Sequence, residues 1–187
     1  MDLLQRTENV LDLLNSIITC DETSVFTYDP ETKRQSMQWK STSSPRPKKA
    51  RMSCSKFKAI LIVFFDIQGI VMAEWVPSGQ TVNQQYYTEV FTKVRERVRR
   101  KQPEVWRNRW ILHQDNTPAH NTLSVNISVL EHPPYLPDLT PCDFYLFPKF
   151  KSVLKGTHFV SVENVKAKTV EILNSLTEHD LGNCFEH

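Results

Sequence analysis

Residues 56–76 read KFKAILIVFFDIQGIVMAEWV. Ala59 to Phe65 is a run of seven apolar residues. That is far short of a bilayer span and suits a buried strand. Asp66-Ile67-Gln68-Gly69 interrupts the run with turn-forming residues, and the apolar pattern resumes at Ile70. The segment therefore predicts two strands joined by a loop that contains a glycine.

Upstream, Ile17–Tyr28 (IITCDETSVFTY) is rich in β-branched and aromatic residues and ends at the turn signal Asp29-Pro30, as a strand would. Lys33–Trp39 is a second candidate strand, and STSSPRPKKARMS after it is a polar, basic, proline-containing loop. Residues 2–16 carry Leu3, Leu4, Val10, Leu11 and Leu14 at helical spacing. Downstream, Thr81–Lys101 places Tyr86, Tyr87, Val90, Phe91, Val94 and Val98 along one side of a helix that Pro103 closes. Trp110–Asp115 is a short buried strand, and Pro118 stands near the start of the next helix. The rigid loop HPPYLPDLTPCD (132–143) leads into a helix from Asp143 or Phe144 to Lys155. A last helix runs from Ser161 or Val162 to Leu176, with Ser161 as its N-cap. This order predicts a mixed α/β domain with a central sheet over residues 17–187. Residues 1–16 form a helical lead-in, and residues 40–56 form a basic loop.

At 187 residues the chain has the size of one ordinary domain. MDLLQRTENV lacks a signal-peptide pattern, so a soluble intracellular protein with no membrane partner is expected. Cys20, Cys54, Cys142 and Cys184 form no Cys-x-x-Cys pair, which argues for thiols and against a zinc site. Net charge is only +2, but it is unevenly spread. Nine basic residues and no acid lie between Lys33 and Lys58: Lys33, Arg34, Lys40, Arg46, Lys48, Lys49, Arg51, Lys56 and Lys58. Between Phe91 and Arg109, eight Lys and Arg face only Glu96 and Glu104. Two such stretches suggest a footprint for a polyanion, although charge runs are more often simply solvated.

Three acids stand out by position. Asp21 interrupts an apolar strand, Asp115 ends another, and Asp143 opens a helix after the rigid loop. An ionised carboxylate in or beside a core strand is costly unless a cation satisfies it. Carboxylates gathered from separate segments suit hard divalent ions, and a pair of such ions promotes phosphodiester cleavage. An N-cap role for Asp143 accounts for that residue equally well.

The segments TCDE (19–22), YDPETKRQSMQWK (28–40), PRPKKAR (45–51), FFDIQGIV (64–71), HQDNTPAH (113–120) and HPPYLPDLTPCDFYLFP (132–148) resemble the catalytic domain of mariner transposases. The resemblance covers residues 17–187. It implies a ribonuclease-H-like (retroviral-integrase-like) fold with a mixed sheet flanked by helices. It also implies cutting and joining of DNA with Mg2+ or Mn2+ held by Asp21, Asp115 and Asp143. By the same resemblance the basic loop contacts double-stranded DNA and a partner subunit in a homodimer or transposase-like assembly. Lys48-Lys49-Ala50-Arg51 further resembles a nuclear import signal.

Three departures from the family shape the expected activity. Residues 116–142 leave 27 positions between the second and third acids, fewer than the family usually has. A crossover this short threatens the return of Asp143 to the other two acids. No counterpart of the family's N-terminal helix-turn-helix region is present, and the sequence reaches His187 ahead of the family's C-terminal helix. The expectation is weak, sequence-tolerant DNA binding with impaired strand cleavage. The alternatives are a non-catalytic DNA- or partner-binding module, or a degenerate transposon remnant without a selected role.

Overall fold

A computed structural model describes residues 13–45, 52–107, 110–115, 127–132 and 136–185. Its strands are β1 (Ile17–Phe26), β2 (Lys58–Phe65), β3 (Ile70–Trp75), β4 (Ile111–Asp115) and β5 (Ser128–His132). They form one sheet in the order β3-β2-β1-β4-β5. β1, β2 and β3 pair antiparallel, whereas β4 runs parallel to β1 and β5 parallel to β4. The helices are α1 (Gln84–Lys101), α2 (Pro103–Arg107), α3 (Phe147–Leu154), α4 (Val162–Asn174) and α5 (Glu178–Phe185).

The strand period of two explains the uninterrupted apolar run in β2. Ile62 and Phe64 lie in one core cluster with Tyr87, Val90, Phe91, Val94 and Val98 of α1. Leu61, Val63 and Phe65 lie in a second cluster with Phe150 and Leu154 of α3, Val165 and Leu173 of α4, and Leu181 of α5. A strand with both faces covered has no polar face to alternate with. Each fully buried large side chain contributes roughly 1.5–3 kcal/mol.

The hairpin forms as the sequence predicts. Asp66 closes its turn by accepting from Gln68 N and Gly69 N at 2.9 Å each. α1 begins after Asn83, whose side chain accepts from Tyr86 N at 3.0 Å, so the cap lies two residues beyond the predicted start. Ser161 caps α4 by accepting from Asn164 N at 3.1 Å, as predicted.

Three expectations need revision. Lys33–Trp39 is no strand; turns occupy 33–36. Gln35 N donates to Thr32 Oγ1 at 3.2 Å and Thr32 N to Gln35 Oε1 at 3.0 Å, and these local bonds compete with strand pairing. The helix expected from residue 143 starts as a wide π turn over Cys142–Leu146 and becomes α-helical at Phe147. Finally, α5 has no counterpart in the predicted elements. The predicted lead-in helix lies outside the described residues except for its last few positions, and so does the helix expected after Pro118.

Despite the short interval, β5 pairs with β4 over five positions, from Ile111↔Ser128 to Asp115↔His132. The sheet is therefore complete on the far side of the crossover. None of the four cysteines is in a disulfide. No helix among the described residues is long and apolar enough to cross a membrane.

Candidate metal centre and nucleic-acid interface

β1 and β4 are paired in register at Thr19↔His113. Two side-chain interactions tie the strands there: Thr19 Oγ1 lies 3.3 Å from His113 Nδ1, and the Cys20 thiol donates to Gln114 Oε1 at 3.8 Å. Asp21 and Asp115 each stand two residues beyond that pair. The pairing of β1 with β4 ends at Thr19↔His113, so the two acids lie just past its end on adjacent strands. Asp21 is half-buried, and its Oδ1 accepts from Glu22 N at 2.7 Å. Glu22 alternates to the α1 side, where the Tyr87 hydroxyl donates to its Oε2 at 2.5 Å. Burial, with the Glu22 charge next in weight, pushes the Tyr87 phenol far above its ordinary range, so it remains a donor. This bond fixes the strand on the face opposite Asp21.

Asp143 arrives on the π turn. Its N–H and that of Phe144 both donate to Thr140 O, at 2.8 and 3.1 Å, and the turn packs against β1. The preceding residue, Cys142, is fully buried and hydrogen-bonded to Thr19. Burial pushes its thiol up first, with the charges of Asp21 and Asp143 adding to the shift. Lys151, two turns further on, has its ammonium pushed below the usual range by burial, while Asp29, Asp143 and Asp21 oppose the shift. Asp21 and Asp143 thus act on the same two side chains from different elements. Among the described side chains, no three His, Cys, Asp or Glu gather closely enough to hold a metal; the Asp115 side chain is outside that set.

The basic candidates divide. Lys33, Arg34, Lys40, Lys56 and Lys58 are exposed. Arg46, Lys48, Lys49 and Arg51 lie outside the described residues. Lys58 pairs with Phe26, five positions along β1 from the Asp21↔Val63 pair, so it is not brought to the acids. Arg34 shares a groove with one of them: it lines a space of about 730 Å³ together with Thr32, Asp143, Lys151 and Lys155. Sequence reasoning did not single out Lys151 and Lys155. Their spacing of four, which stacks them on one face of a helix, was the available signal.

Known proteins agree with this geometry. The family described as "Transposase (partial DDE domain)" matches residues 29–108. The Mariner Mos1 transposase of Drosophila mauritiana is 32% identical over 162 residues, covering 82% of this chain and 46% of the relative. The histone-lysine N-methyltransferase SETMAR of Homo sapiens is 26% identical over 170 residues, covering 87% of this chain and 24% of the relative. The chain thus spans less than half the length of either. Among solved structures, the Mos1 paired-end complex with Mn superposes with a TM-score of 0.84 at 28% identity, covering 98% of this chain and 55% of that one. The Mos1 catalytic domain alone gives 0.75 at 26% identity, covering 98% and 81%. A five-stranded mixed sheet in this order, flanked by helices and matched by sequence along most of its length, is a ribonuclease-H-like fold, and the chain belongs with the catalytic domains of mariner transposases.

Proposed function

We propose that this domain binds DNA through its basic arm and gathers Mg2+ or Mn2+ between Asp21, Asp115 and Asp143, with strand cleavage that is weak. The observation that carries the reading is the placement of Asp21 and Asp115 two residues past the Thr19↔His113 pair on adjacent strands, with the turn that bears Asp143 packed against β1. The donor set fits hard divalent ions, since carboxylate oxygens are what such ions prefer. Mos1 structures solved with Mn and with Mg support the same choice. When bound, a pair of such ions supplies charge at the attacking and leaving oxygens of a phosphodiester. The chain's own part is to present the three acids: Asp21 on β1 with its bond from Glu22 N, Asp115 at the end of β4, and Asp143 on the turn anchored at the Thr140 carbonyl.

Weak cleavage follows from the crossover. Only 116–127 connect β4 to β5, close to the lower limit of about 10–12 residues for such a connection. A helix of about nine residues rises only about 13 Å, whereas a strand of six spans about 20 Å. Catalytic groups tolerate misplacement of only about 0.5 Å, so a sheet can form while the third acid sits out of place. DNA binding is weak and sequence-tolerant, because phosphate contacts by Lys and Arg carry little base information. Mos1 paired-end complexes support a homodimer or transposase-like partner, and action on DNA with the Lys48–Arg51 cluster supports a nuclear location.

The test is Mn2+ binding followed by electron paramagnetic resonance. The unmodified chain should bind, and Asp21→Asn and Asp115→Asn should each lose most of that binding. Equal binding by all three would remove the metal centre from these residues.

A further inference from the structure

The groove beside Asp143 is built from two distant parts of the chain. One wall is the root of the basic arm, residues 27–35, and the other is α3 with the turn that follows it. Three hydrogen bonds and a ring stack staple the walls together. Gln35 Nε2 donates to Ser152 O, Gly156 N to Asp29 O, and Phe159 N to Thr27 O, each at 2.8 Å. The Tyr28 and His158 rings stack with centroids 3.7 Å apart. Gly156 adopts φ +81°, and a Cβ there would stand 2.6 Å from Glu31 Cγ, so only glycine allows this closeness.

The walls present Arg34, Lys151 and Lys155 to the groove against the single carboxylate of Asp143. None of the three cations forms an ion pair with a carboxylate among the described residues. Lys151 and Lys155 are one helical turn apart, so their side chains stack along the groove. The α1 face is differently arranged: Lys93 pairs with Glu74 and Arg99 with Glu96.

We propose that this groove is a phosphate track, which seats the sugar-phosphate backbone of one DNA strand and leads it to Asp143. The proposal rests on the reading of Asp143 as part of a DNA-cleaving centre, because that reading makes a phosphodiester the group to be delivered there. A preset wall lowers the ordering cost of binding, since neither Arg34's loop nor α3 must move into place. Phosphate recognition of this kind is blind to base identity.

The experiment measures fluorescence anisotropy of a labelled DNA duplex and a labelled single strand with EDTA present, across a salt series. Arg34→Ala with Lys155→Ala should weaken binding on the order of tenfold and lower the duplex salt slope by about two, near one for each phosphate left without its cation. Lys93→Ala with Arg99→Ala should leave affinity within about twofold. Arg34→Lys with Lys155→Arg should restore most of the slope, and melting curves verify that each variant folds. If the groove pair binds like the unmodified chain while that chain binds DNA well, the track is wrong and the DNA reading survives. If the unmodified chain binds neither DNA, both fall. An α1 pair as damaging as the groove pair also overturns the track.

Discussion

Along α1, Lys93 reaches Glu74 at 2.5 Å, Arg99 reaches Glu96 at 2.8 Å, and the Arg95 guanidinium lies 5.6 Å from the centre of the Trp106 ring. Along the groove, Arg34 and Lys155 reach no carboxylate among the described residues, and Lys151 lies over Phe147 while feeling several acids at a distance. Both regions began as basic stretches or spacings in the sequence. On α1, Lys93 and Arg99 are held in ion pairs while Arg97 and Arg100 beside them are in none among the described residues, and along the groove none of the three cations is in such a pair. A cation already paired with a carboxylate attracts a polyanion less than one that is not, so the pairing of each Lys and Arg matters as well as their number.

α1 is also tied down where the groove is open. Its following residue, Gln102, donates through Nε2 to Asp66 Oδ2 at 2.6 Å, joining the helix end to the β2 turn. The basic face of α1 is thus one side of a scaffold.

Charge reversal should separate the two regions most widely. Arg34→Glu with Lys155→Glu should cut affinity for duplex DNA on the order of a hundredfold at low salt, and Lys93→Glu with Arg99→Glu by less than about tenfold. Titration of a labelled duplex checks this, and equal losses would erase the distinction.

A smaller effect is expected at Gly156. Gly156→Val places a β-branched residue at positive φ and against Glu31, which should cost about 1–3 kcal/mol in chemical denaturation. The same variant should weaken DNA binding without removing any charge, because the arm root loses its seat. A variant destabilised yet fully able to bind would show that the docked arm is irrelevant to binding. On the α1 side, Thr92→Ala should stay within about 0.5 kcal/mol.

A modest effect is expected at Asp66, which is 1% exposed. Burial raises its carboxyl above the ordinary range against the pull of Gln102 and the Gly69 and Gln68 amides. A raised folded value means that its contribution is full below the unfolded carboxyl range and is lost as pH rises through the folded value. Asp66→Asn keeps an acceptor for the turn amides. Its new amide can donate to Gln102 Oε1, which is buried without a partner, once Gln102 turns over. The variant should therefore gain on the parent from about pH 4 to 7 by roughly 2–4 °C in Tm. A flat or reversed difference would contradict the burial account.

How much of this was legible before folding depends on how local each signal is. The β2–β3 hairpin and the Ser161 cap are set by neighbours in sequence, and both formed as expected. Asp21 showed itself because a carboxylate in an apolar strand needs an explanation. The Lys33–Trp39 strand failed because Thr32 and Gln35 satisfy each other's backbone locally. α5 was missed because EHDLGNCF is short and includes Gly182 and Asn183, poor helix formers that hide its periodicity. The groove was beyond reach, since Gln35 and Ser152 meet across 117 residues of sequence. Lys151 and Lys155 gain meaning only from what lies opposite them.

We propose that the acids gather but that the short crossover blunts the chemistry. Nicking of supercoiled plasmid in Mg2+ or Mn2+ tests it most directly. The chain should nick only slightly faster than its Asp115→Ala variant, and an insertion of about two helical turns, roughly seven residues, after Asn126 should raise nicking further. Robust nicking by the unmodified chain, abolished in Asp115→Ala, would show that the shortened site still assembles and would contradict the claim.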